Sequence, residues 1–146
     1  MTKDEYYLGI ALAVAKKSTC LKKQYGAIIV KNDQVLATGY NGPVRGEPHC
    51  TTCSKIDCNK DMAEYKTCPS VHAEMNAIIA SSRNEMLDAT LYLAGYITSI
   101  DEENLNVEPC EICLRLIKNA GIDKVITRQG VIYSRDPETK ILKKRI

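Results

Sequence analysis

Leu91-Tyr92-Leu93-Ala94-Gly95-Tyr96 is followed by Pro109-Cys110-Glu111-Ile112-Cys113-Leu114-Arg115-Leu116-Ile117-Lys118-Asn119-Ala120-Gly121, and that by Lys124-Val125-Ile126-Thr127. The first and last stretches are short apolar runs of strand length. The middle one has helical period: Ile112, Leu116 and Ile117 share a face. Pro109 stands where a first helical position favours proline, and Gly121 where a C-terminal cap favours glycine. Strand, helix, strand in that order predicts an α/β fold, with helices packed on the faces of a sheet.

Working outward, Val71, Met75, Ile78 and Ile79 recur at helical spacing and predict a helix over 71–83. Ala27-Ile28-Ile29-Val30 and the stretch 35–40 form a hairpin turning at Asn32-Asp33. A first helix is expected over 4–17, opened by the capping box Thr2-Lys3-Asp4-Glu5. Downstream, residues 130–146 add a fifth strand, turning at Asp136-Pro137. Residues 97–108 read as a polar, acidic loop, and no repeat or linker divides the chain. One domain over 1–146 is expected.

Composition narrows the function. Of 146 residues, 45% are hydrophobic and 26% charged, which excludes disorder, a collagen-like repeat and a coiled coil. Twenty basic side chains nearly balance eighteen acidic ones, so nothing draws the chain to nucleic acid or an anionic membrane. The longest apolar run, Leu8 to Ala15, is far short of a membrane span. Asp4 and Glu5 precede it where a signal peptide carries basic residues, so a cytoplasmic protein is expected. In a reducing compartment, seven cysteines point to metal ligands before disulfides.

Two stretches carry the chemistry: His72-Ala73-Glu74 and Pro109-Cys110-Glu111-Ile112-Cys113, each at the start of a predicted helix. His72, Cys110 and Cys113 offer one nitrogen and two thiolates, leaving a tetrahedral zinc ion a fourth position for water. Two thiolates neutralise the ion. Glu74 is not needed as a ligand and stands two residues from one, where a carboxylate can move protons between water and a departing group. The alternative, a closed structural zinc ribbon, needs a fourth protein ligand and leaves Glu74 without a task. H-x-E followed at a distance by P-C-x-x-C is the signature of zinc-dependent base deaminases.

From Thr19 to about Arg128 the chain resembles the deoxycytidylate (dCMP) deaminases of the cytidine deaminase-like superfamily. The resemblance is carried by Ser18-Thr19-Cys20, the stretch 25–30, Thr38-Gly39-Tyr40-Asn41-Gly42-Pro43, His49-Cys50, the stretch 72–78, and 109–113. It implies a three-layer α/β/α sandwich around a mixed five-stranded sheet. It also implies hydrolysis of dCMP to dUMP and ammonia, a step that feeds thymidylate synthesis. Glu74 would protonate N3 and then the leaving amine, the Ala73 amide would hold the pyrimidine O2, and Asn41 would contact the sugar. Asn41 reads equally well as a turn residue. Lys22, Lys23, Arg45 and Tyr133 are the candidates for phosphate. By the same resemblance the chain would be a homo-oligomer, a hexamer for preference. dCTP and magnesium-dependent dTTP effectors would act at Gly39, Tyr40 and Gly42.

Five cysteines and His49 remain. Relatives stabilise the long loop with a second zinc, which implies ligation by Cys20 and Cys50, with Cys58 and Cys68 as the other pair and Cys53 as the rival. Two features depart from the family pattern: the acidic loop over 95–108 and the residues after Gly130. The alternatives are a deaminase of another base or nucleoside, such as cytidine or guanine, and a non-catalytic zinc module.

Overall fold

A computed structural model describes residues 1–53 and 68–146. Helix α1 (Lys3–Ala15) is followed by strands β1 (Lys23–Lys31) and β2 (Gln34–Tyr40), helices α2 (Ala73–Ile79) and α3 (Arg83–Met86), and strand β3 (Thr90–Ile97). A 3-10 turn (Thr98–Ile100), strand β4 (Glu102–Glu103), helix α4 (Glu111–Ala120) and strands β5 (Lys124–Thr127), β6 (Gly130–Arg135) and β7 (Leu142–Lys144) complete it. The sheet order is β2-β1-β3-β5-β6-β7, with β4 pairing the end of β3. Among the described residues only β3 and β5 run parallel, because α4 crosses over between them; the other pairings are antiparallel. Among the described residues no helix is long and apolar enough to cross a membrane.

Alternation along the strands builds two cores. Ala27, Ile29, Leu91, Leu93 and Val125 point to the face covered by α2 and α4, where Ala73, Ala77 and Ile117 meet them. Ile28, Val30, Tyr92, Ala94 and Ile126 point to the other face, under Tyr7, Leu8 and Ala11 of α1. The three layers are those expected. Glycine permits the closest contacts: a Cβ at Gly26 would strike the Ala11 carbonyl and Ala15 amide of α1, and one at Gly39 the Ala73 carbonyl and Ala77 amide of α2.

Seven strands replace the expected five among the described residues. The acidic segment is no plain loop, since it folds back so that Glu103 pairs Tyr96 and Glu102 pairs Ile97. The tail supplies two strands, β6 and β7, turning where the Asp136 carboxylate accepts from the Glu138 and Thr139 amides. The helix expected over 71–83 is shorter. Val71 forms a two-way backbone bridge with Gly42, and Ser82 caps α3 by accepting from the Glu85 amide. The capping box at Thr2 and Glu5 is present, although α1 begins at Lys3 and ends at Ala15.

Candidate active site

α2 and α4 lie side by side on one face of the sheet, and their starts bring the two sequence motifs together. His72 is the N-cap residue of α2 and Cys110 that of α4, each with extended backbone. The Cys113 amide donates to the Cys110 sulfur across 3.4 Å, which fixes the first turn of α4 around that thiol. The His72 Nδ1 lies 3.5 Å from the Cys110 sulfur and 3.3 Å from the Cys113 sulfur. Tetrahedral zinc bonds of usual length would place nitrogen and sulfur about 3.6 Å apart. The donor set therefore fits a zinc ion in both chemistry and spacing. Among the described residues this is the group of three or more such side chains whose ligand atoms all fall within 4.8 Å of one another.

Glu74, in the first turn of α2, is 5% exposed. Burial pushes its carboxyl above the ordinary range; its own backbone amide and Cys113 act in the opposite direction. Burial, followed by the Glu74 charge, pushes the Cys113 thiol far up. Both effects disfavour anions in an uncompensated pocket, and a bound divalent cation reverses that logic.

A cavity of about 240 Å³ opens over these groups, with His72, Glu74 and Cys110 in its lining. Tyr25, Asn41, Ser70, Lys22, Lys23 and Glu108 complete its polar wall. Tyr25 is held as a neutral phenol, pushed up to about 12 by burial and then by Glu74. The Asn41 carboxamide is engaged with β1: Oδ1 accepts from the Tyr25 amide at 2.8 Å and Nδ2 donates to the Lys23 carbonyl at 2.9 Å. Those bonds tie the end of β2 to the start of β1, and Asn41 also lines the cavity. Its carboxamide keeps a second lone pair and a second N–H.

Of the other candidates, Tyr133, Arg45, Gly39, Tyr40 and Gly42 fall outside the cavity lining, whereas Cys20, Cys53 and Cys68 belong to it. Tyr133 lies on β6, buried in the core on the α2 side, and is not in the cavity lining. Arg45 is exposed outside it. Gly39 packs against α2, Gly42 bridges Val71, and the Tyr40 ring is exposed. Cys20, Cys50, Cys53 and Cys68 surround one small apolar pocket. Burial, followed by the charges of Cys68, Cys20 and Cys53, pushes the Cys50 thiol up. Cys58 lies outside the described residues, and the His49 ring nitrogen meets the Thr19 hydroxyl at 2.8 Å. Sequence reasoning missed Tyr25, Ser70 and Glu108 as cavity residues. Glu108 carried a signal, since it directly precedes Pro109-Cys110; Tyr25 stood only within the stretch 25–30 that carries the resemblance.

Residues 1–129 match the cytidine and deoxycytidylate deaminase zinc-binding region. The chain is similar to the deoxycytidylate deaminase of Mycobacterium phage D29, 36% identical over 129 residues that cover 84% of this chain and 91% of that one. The deoxycytidylate deaminase of Saccharomyces cerevisiae is 34% identical over 96% of this chain, which spans only 41% of the yeast protein. The fold resembles the crystal structure of dCMP deaminase from the cyanophage S-TIM5 in complex with dCMP and dUMP, with a TM-score of 0.61, 26% identity, and coverage of 84% of this chain and 78% of that one.

Proposed function

The chain belongs to the cytidine and deoxycytidylate deaminase zinc-binding family, and on that premise we propose that it hydrolyses dCMP to dUMP and ammonia. One observation carries the reading: a buried carboxyl, Glu74, stands beside three convergent donors under a cavity that holds two lysines. His72, Cys110 and Cys113 hold the zinc, which when bound lowers the pKa of a water to about 7. The chain's own residues do the rest. Glu74 takes the proton of the attacking water and delivers it to N3. It then passes the remaining hydroxyl proton to the amine as the C4–N bond breaks. The buried start of α2 presents the Ala73 amide to the pyrimidine O2, as the first N–H groups of a helix lack intrahelical partners. Lys22 and Lys23 neutralise the phosphate, and the Asn41 edge meets the sugar.

The finer assignments belong to the same reading. A second zinc draws on Cys20, Cys50 and Cys68, with Cys53 or Cys58 completing it, and two zinc ions per chain on metal analysis is the expected count. dCTP and magnesium-bound dTTP act as effectors beside the exposed Tyr40, in a cytoplasmic homo-oligomer whose 1–146 unit works as one domain. The deciding experiment is ammonia release from the zinc-loaded protein with dCMP, alongside deoxycytidine and CMP, with and without dCTP and magnesium. Turnover of dCMP that rises with dCTP is expected. No turnover of dCMP in either condition overturns the substrate assignment.

A further inference from the structure

The cavity is unevenly charged. Lys22 and Lys23 line it from the start of β1, whereas Glu74 and Glu108 enter beside the metal ligands His72 and Cys110. Glu74 has its task. Glu108 is not part of the converging donor cluster; its side chain is half-exposed and ion-paired. One of its oxygens lies 3.1 Å from the Lys144 ammonium on β7, and this partner holds Lys144 above the ordinary lysine value. The segment leading to it is also tied down. The Asn104 amide donates to the Gly95 carbonyl at 2.8 Å, the Gln129 side chain donates to Asn106 at 2.6 Å, and Arg128 meets Glu103 at 2.7 Å. Val107, its neighbour, is buried. The backbone that carries this carboxylate to the cavity wall is thereby held, while the ion pair itself is solvated.

A nucleoside monophosphate offers two ends to a metal centre, the base and the phosphate, and the anionic oxygens are the better ligands for a cation. We propose that Glu108 is a specificity-determining residue, whose charge repels phosphate from the His72–Cys110 end and leaves Lys22 and Lys23 as its seat. The base then enters toward Glu74. Lys144 tempers the charge of Glu108. This rests on the dCMP reading above.

The test uses zinc-loaded wild type, Glu108→Gln and Lys144→Met. Both variants break the same ion pair, but they change the field in opposite senses. Calorimetry with inorganic phosphate reads that field directly: Glu108→Gln is expected to bind it about fivefold more tightly and Lys144→Met more weakly, as unit charges acting across a solvated cavity do. Both shifts should fade at high salt. With dCMP, Glu108→Gln allows a backward pose that occupies the enzyme without turnover, so kcat and KM fall together. With deoxycytidine, which lacks phosphate, no such parallel fall of kcat and KM is expected. Phosphate affinity unchanged in Glu108→Gln, or moving the same way in both variants, overturns the proposal in favour of a merely structural ion pair. If the wild type turns over neither dCMP nor deoxycytidine, the deamination reading fails, while the calorimetry still decides the role of Glu108.

Discussion

Cys110 and Cys113 are carried by the first turn of α4, whereas Cys20, Cys50, Cys53 and Cys68 all lie in irregular segments. The first pair is oriented by backbone that is hydrogen-bonded with or without a metal, and α4 is anchored through Ile117 and Ala120 to the sheet. The four loop thiols have no such scaffold; they gather around one small pocket, where burial, then the charges of Cys68, Cys20 and Cys53, raise the Cys50 thiol. A helix start prepares a metal site in advance. On the proposed second zinc, ion binding at such loop thiols would contribute directly to folding free energy.

That contrast can be broken most severely at the prepared site. Cys113→Ser should lose the catalytic zinc and reduce ammonia release to background, while far-UV circular dichroism stays that of the wild type. Glu74→Gln sharpens the contrast by sparing the ligands. Turnover should drop by about 10² to 10⁴, with zinc content unchanged on metal analysis. Gly39→Ala tests the scaffold and not the ligands: the new methyl meets the α2 backbone at Ala73 and Ala77, and overpacking of this kind costs about 1–3 kcal/mol. Denaturant unfolding should register that loss, and kcat should fall with it as α2 shifts. Cys50→Ser should remove the loop's metal and expose that loop to protease, with turnover falling less than in the preceding variants.

The smallest effect lies far from both thiol sets. The Lys143 ammonium, then the Thr139 and Glu138 amides, hold the Asp136 carboxyl at about 2. A carboxyl depressed in the folded state stabilises it above the unfolded value of about 3.9. That contribution disappears as pH falls toward 2, and Asp136→Asn should flatten the acid dependence of the melting temperature over that window.

The legible parts of the sequence were those decided by neighbours in the chain. Asn32 and Asp33 tolerate the positive φ values of 53° and 59° that their tight turn demands, so the hairpin could be read from two residues. The H-x-E and P-C-x-x-C spacings placed His72, Glu74, Cys110 and Cys113 at helix starts, where the structure has them. What escaped was decided by distant partners. Strand β4 has two residues and exists because β3 extends far enough to pair with it. The register shift at Val125/Ile126 lets Ile132 and Tyr133 both reach buried positions, against simple alternation, and takes Tyr133 away from the cavity. Glu108 has a local signal in its place before Pro109-Cys110, but its ion pair with Lys144 of the tail is announced by no local pattern.

The division of β1 between two cores has a consequence for how such a chain can vary. Ala27 and Ile29 face the layer that carries the metal ligands, and Ile28 faces α1. Sequence drift under α1 is therefore insulated from the chemistry by the thickness of the sheet. The same strand thus serves two buried cores one residue apart, and only one of them adjoins the metal ligands.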